Sequence, residues 1–152
     1  MKSRSFLILS ILSIVTGCQS AQTRTYDISV RNETGKELTV WLAKDGGPYE
    51  AHWASPEEIA RERPGGGNAY WGIVIPAGKT GFTGETTGKF DDNSRAYLRV
   101  YSDVKTLSQL LAVGRGSANR LDLPLQEGKN DFIVSDGAKL SATRSGQPVP
   151  AK

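Results

Sequence analysis

YDISVR (residues 26–31) sets the fold class. Tyr26, Ile28 and Val30 fall on one face of an extended chain, and Asp27, Ser29 and Arg31 on the other. A period of two with one apolar face is a half-buried strand. A turn around Gly35 follows, and LTVWLAK (38–44) repeats the pattern, with Leu38, Val40 and Leu42 on one face and Trp41 on the other. Working outward, YWGIVI (70–75), GFTGETT (81–87), AYLRVYS (96–102), RLDLPL (120–125), NDFIVS (130–135) and KLSAT (139–143) read as further strands, the Thr/Gly-rich one being the weakest. Turns separate them at Asp45-Gly46-Gly47-Pro48, Pro76-Ala77-Gly78-Lys79, Glu127-Gly128 and Asp136-Gly137, and a polar loop covers 89–95. Pro124 removes a ladder donor and places its strand at an edge. Seven or eight short strands without βαβ alternation predict an all-β fold, a small β-sandwich of immunoglobulin-like type.

One or two short helices interrupt the strands. Ser55-Pro56-Glu57-Glu58 combines an N-cap, a proline at the first helical position and a capping-box glutamate, predicting a helix to about residue 63. Its main apolar residue is Ile59, which predicts a surface decoration. Thr106 with Gln109 makes a second capping box, and Leu107, Leu110 and Leu111 share a helical face, predicting a helix over 106–113.

The amino end reads differently. Lys2 and Arg4 precede an apolar run over 6–15, too short to cross a hydrocarbon core about 30 Å thick but laid out as a secretory signal. Val15-Thr16-Gly17-Cys18 then resembles the lipobox of bacterial lipoprotein precursors. The resemblance implies a diacylglycerol on the Cys18 thiol, cleavage before Cys18 and acylation of the new amino group. Gln19-Ser20-Ala21 is a poorer site for ordinary cleavage, because a bulky polar residue stands where a small one is wanted. Gln19 rather than aspartate after the cysteine leans toward the outer membrane. The expected organisation is a signal peptide over 1–17, a lipidated tether over 18–25, a sandwich over 26–144 and a flexible tail over 145–152.

Composition narrows the function classes. The chain has 152 residues, 19 basic and 16 acidic. Loss of Lys2 and Arg4 with the leader leaves a mature net charge of about +1, with no basic stripe, so nucleic acid is not an expected partner. Cys18 is the one cysteine, which excludes a disulfide framework and a thiolate metal site.

Asn32, Val40-Trp41-Leu42, Asp45-Gly46 and Pro48, followed by Pro76-Ala77-Gly78, are similar in order to the β-domain of von Hippel–Lindau-type proteins. The likeness covers about residues 30–90 and implies a small peptide-binding sandwich. The Gly-His-x-aromatic segment of that family's hydroxyproline pocket has no match at Gly88-Lys89-Phe90, and residues 55–69 read as an insertion. Only the sandwich architecture follows from the likeness, not peptide binding and not ligase function.

Chemical motifs are few. Gly78-Lys79-Thr80 is not a phosphate loop, because Ile73 stands where its first glycine belongs. Asp91-Asp92-Asn93 lacks the twelve-residue calcium loop and reads as a solvated turn. No metal and no cofactor are expected. Asn32-Glu33-Thr34 reads as a turn, not a glycosylation site. His52 is the one histidine, and there is no G-x-S-x-G elbow. Glu57, Glu58 and Glu62 read as a solvated helix face.

The residues most suited to binding are Tyr49, Trp53, Tyr70 and Trp71, aromatics that bracket the insertion and would stack on a peptide or sugar if exposed; the preferred alternative is that they cover the end of the sandwich core. The function expected is therefore a non-enzymatic lipoprotein of the bacterial envelope, anchored by lipid, with an outer-membrane leaning. Its sandwich would serve binding or assembly with an envelope protein, peptide or glycan, in the periplasm or at the cell surface. The alternatives are a small hydrolase using His52 with a carboxylate, and a purely structural spacer.

Overall fold

The structure, a computed structural model, describes residues 21–62, 72–104 and 106–145. The leader, Cys18, Tyr70, Trp71 and most of the tail lie outside the described residues.

Eight strands form two four-stranded sheets. They are β1 (Gln22–Asn32), β2 (Leu38–Asp45), β3 (Ile73–Ile75), β4 (Thr80–Phe90), β5 (Arg95–Ser102), β6 (Arg120–Pro124), β7 (Gly128–Ser135) and β8 (Ser141–Arg144). The first sheet has the order β4-β1-β7-β8 and the second β3-β2-β5-β6. All pairings are antiparallel except β1 with β7, where Tyr26 faces Gly128 and Asn32 faces Val134. The expected sandwich is thus what forms, with β6 at an edge as Pro124 requires.

The alternation in the sequence becomes the core. Tyr26, Ile28 and Val30 point inward from β1, and Leu38, Val40, Leu98 and Val100 meet them from the second sheet. The outer face of the first sheet is largely polar, which suits an antiparallel sheet with one wet side.

Three expectations change. First, β1 begins at Gln22, so the stretch from Gln22 to Thr25 is paired strand rather than tether; Gln22 faces Phe90 and Thr25 faces Thr87. Second, the Thr/Gly-rich strand β4 is as long as β1, at 11 residues, and absorbs the start of the loop expected over 89–95. Its sparse apolar content reflects an edge position, with a register irregularity beside Ile28 and Gly84 at φ +66°. Third, the helix after Ser55 is not a decoration. It forms α1 (Pro56–Glu62), and with α2 (Leu107–Ala112) it covers the outer face of the second sheet. Ile59 from α1 and Leu110 from α2 close over Trp41, Ala43 and Tyr101. The second sheet is therefore buried on both faces, and this explains why β2 carries apolar side chains on both.

Both capping boxes form. Ser55 Oγ accepts from the Glu58 N–H while Glu58 accepts from the Ser55 N–H, and Thr106 and Gln109 make the same exchange.

Because the helical layer shares in a core, Ile59→Ala and Leu110→Ala should each cost about 2–4 kcal/mol of unfolding free energy. Urea titration checks this, and a loss near zero would restore the decorative role.

Candidate functional site

Of the candidate binding aromatics, Trp53 is a core residue and Tyr49 a surface residue. Trp53 lies in a 3-10 turn over Ala51–Trp53 and is 0% exposed. Its ring meets Tyr26 and Phe90 edge-on at centroid distances of 5.4 and 5.3 Å, and its Nε1–H donates to the Thr87 carbonyl at 2.9 Å. Gly88 is obligatory beside it, since a Cβ there would lie 2.5 Å from the indole nitrogen. Trp53 is thus core, not a ligand contact. Tyr49 is the opposite case, 53% exposed, with its hydroxyl donating to Glu62 at 3.0 Å. It stands over a hollow of about 220 Å³ lined in part by Lys44, Glu50, Trp53 and Glu58.

His52 is exposed, and its Nε2 lies 2.9 Å from the Thr87 carbonyl that Trp53 also uses. Two side chains therefore cover one unpaired carbonyl of the β4 edge. One step along, Glu50 accepts from the Lys89 N–H at 2.8 Å, while Lys44 Nζ donates to the Lys89 carbonyl at 2.8 Å and to Glu50 at 2.7 Å. Burial opposes the charge on Glu50, but the Lys44 hydrogen bond and the Lys89 N–H outweigh it and hold the carboxyl below its usual range. The carboxylate that feels His52 is therefore committed to closing a sheet edge.

A cleft of about 270 Å³ opens beside this edge. Val40, Leu42, Ile73 and Leu98 form its floor, with Thr83, Thr86 and His52 on its rim. No carboxylate lines it among the described residues, so His52 meets no acidic partner there. Among the described residues there is also no cluster of three groups able to hold a metal ion.

The expected solvated glutamate face is instead engaged. Glu57 binds Arg99 at 2.5 Å and approaches Arg120 at 3.6 Å. Asp122 takes the Arg120 guanidinium on both oxygens, at 3.0 and 3.1 Å. Tyr101 lies beneath, its ring 5.5 Å from the Arg120 guanidinium carbon. Burial pushes its hydroxyl up, against the nearby arginines. Burial likewise opposes the charge on Glu57, but the helix N–H bond and Arg99 lower its carboxyl overall. Glu57 joins α1 to the second sheet. Sequence reasoning missed this; the signal was an arginine at Arg99 alternating with apolar residues on a strand.

No family model matches the chain, and no curated protein matches it. Among the solved structures to which the chain is similar is the crystal structure of the T6SS lipoprotein TssJ1 from Pseudomonas aeruginosa, at 10% identity, over 84% of this chain and 100% of that one, with a TM-score of 0.37.

Two outcomes follow for the aromatics. Trp53→Ala should cost about 3–5 kcal/mol, whereas Tyr49→Ala should shift the urea midpoint little. A third concerns acid. Glu57 has a folded value below its unfolded value of about 4.3, so its contribution is present above that pH and lost as pH falls through the folded value. Glu57→Gln should lower the melting temperature at neutral pH and flatten its fall as the pH drops below about 4.3, as thermal melts across that range would read.

Proposed function

We propose that this chain is a lipid-anchored, non-enzymatic protein of the bacterial envelope whose sandwich serves binding or assembly. The observation that carries the reading is Val15-Thr16-Gly17-Cys18 behind a short basic and apolar leader. Each buried CH₂ of an acyl chain contributes about 0.8 kcal/mol, and stable attachment needs more than one chain, which the lipoprotein modification provides. The start of β1 at Gln22 is compatible with the reading, because cleavage before Cys18 would leave every described strand in the mature chain. Gln19 favours the outer membrane.

The non-enzymatic reading is supported by the engagement of His52, Glu50 and Glu57 in structural contacts. For recognition of a peptide, glycan or envelope protein, the exposed Tyr49 and its hollow are the described feature best suited to stacking.

The wild-type protein should partition with membranes and carry acyl mass on Cys18, and Cys18→Ala should be recovered soluble. Membrane fractionation with mass spectrometry checks both; an unmodified wild-type amino terminus would overturn the anchor.

A further inference from the structure

The start of β1 fixes more than a boundary. Cys18 stands four residues before Gln22. At a maximum of about 3.5 Å per residue, that chain spans no more than about 14 Å. β1 itself has 11 residues and reaches about 35 Å from Gln22 to Asn32. The tether is therefore much shorter than the domain is long.

It also enters at a rigid point. β1 lies between β4 and β7 in its sheet. Its first residues are zipped to β4, Gln22 to Phe90 and Thr23 to Lys89. Arg24 donates to the Ser94 carbonyl at 3.1 Å and lies 5.2 Å from the Phe90 ring centre. Ser94 in turn donates to the Gly47 carbonyl at 2.8 Å. The turns at 46–48 and 91–94 are thereby locked around the tethered end of the strand. The turns at 33–37, 76–79 and 136–140 gather at the opposite end, where Asn32 holds Lys79 and Gly78, and Gly35 reaches Asp136.

We infer that the end of the sandwich carrying the 46–48 and 91–94 turns faces the lipid surface, and that the 33–37, 76–79 and 136–140 turns project away from it. The inference rests on the lipid anchor proposed above. The chemistry of the facing end suits contact with headgroups rather than insertion. It mixes Asp45, Asp92, Lys89 and Arg95, all exposed, and the exposed large hydrophobic side chain beside it is Tyr49. A tyrosine offers an apolar ring with a polar tip, the combination favoured at a membrane–water interface. Val74, Phe82 and Leu111, the other exposed large apolar side chains among the described residues, lie away from the tethered turns.

Fluorescence quenching tests the orientation. Acylation consumes the thiol of Cys18, the one cysteine of the chain, so an introduced cysteine is uniquely labelled. Asp92→Cys and Lys36→Cys, each labelled in the lipidated full chain, are placed in phosphatidylethanolamine–phosphatidylglycerol vesicles carrying a headgroup quencher. The label at residue 92 should be quenched several-fold more than that at residue 36. A long Gly-Ser linker between Ala21 and Gln22 should collapse the difference. Equal or reversed quenching on protein shown by mass to be acylated would overturn the orientation while leaving the anchor. A difference that survives the linker would overturn the short tether as its cause. Absence of acyl mass would overturn the anchor and the orientation together.

Discussion

A single buried amide holds the two sheets in register at one end. Asn32 is fully buried, and its Nδ2 donates to the Lys36 and Ile75 carbonyls at 2.8 and 2.9 Å. Its Oδ1 accepts from the Thr34 N–H and hydroxyl, at 2.9 and 2.7 Å. Its backbone N–H donates to Lys79 and its carbonyl accepts from Gly78. One residue thus ties the β1–β2 turn to the β3–β4 turn, and so the first sheet to the second. A polar group buried this deeply costs about 1–3 kcal/mol if a partner is lost, which makes the arrangement selective. A shift of either turn leaves the amide unpaired.

The other end uses charge where this one uses an amide. Lys44 and Glu50 supply the donor and acceptor that the Lys89 backbone lacks at the free edge of β4, and Trp53 with His52 caps Thr87. A bare strand edge is a template for pairing with another chain. Here side chains of the second sheet and its following turn occupy part of that template, and they hold the sheets together as they do so. Asn130 plays a local version of this role, bonding Gln126 and Gly128 to shape the turn before β7.

Much of this was legible from residue order, and the exceptions share a cause. Period-two alternation located β1, β2, β5 and β7, because each packs one apolar face on the core. The capping boxes located both helices, because capping is a local interaction. What escaped depended on residues distant in the chain. Whether Trp53 was core or surface was decided only by Tyr26, Phe90 and Thr87, which surround it. Asn32 looked like the opening of a turn, because its partners Ile75, Gly78 and Lys79 are distant in the chain. The length of β4 was hidden because an edge strand rich in threonine and glycine has little hydrophobic signal. The double burial of β2 was visible in its own residues, with Trp41 and Ala43 opposite Leu38 and Val40, a pattern typical of strands covered on both faces.

The parallel pairing of β1 with β7 bears on how the chain is made. β1 emerges early, but its neighbours do not: β4 ends at Phe90 and β7 starts at Gly128. Closing such long loops carries an entropic cost that is repaid only when the distant partner arrives, and topologies of this kind fold slowly. A growing chain therefore holds a first strand that cannot complete its sheet until nearly all of the polypeptide has been synthesised. Long-range wiring of this sort leaves one edge of the first strand without its neighbour for as long as the carboxyl-terminal part of the chain is still to come.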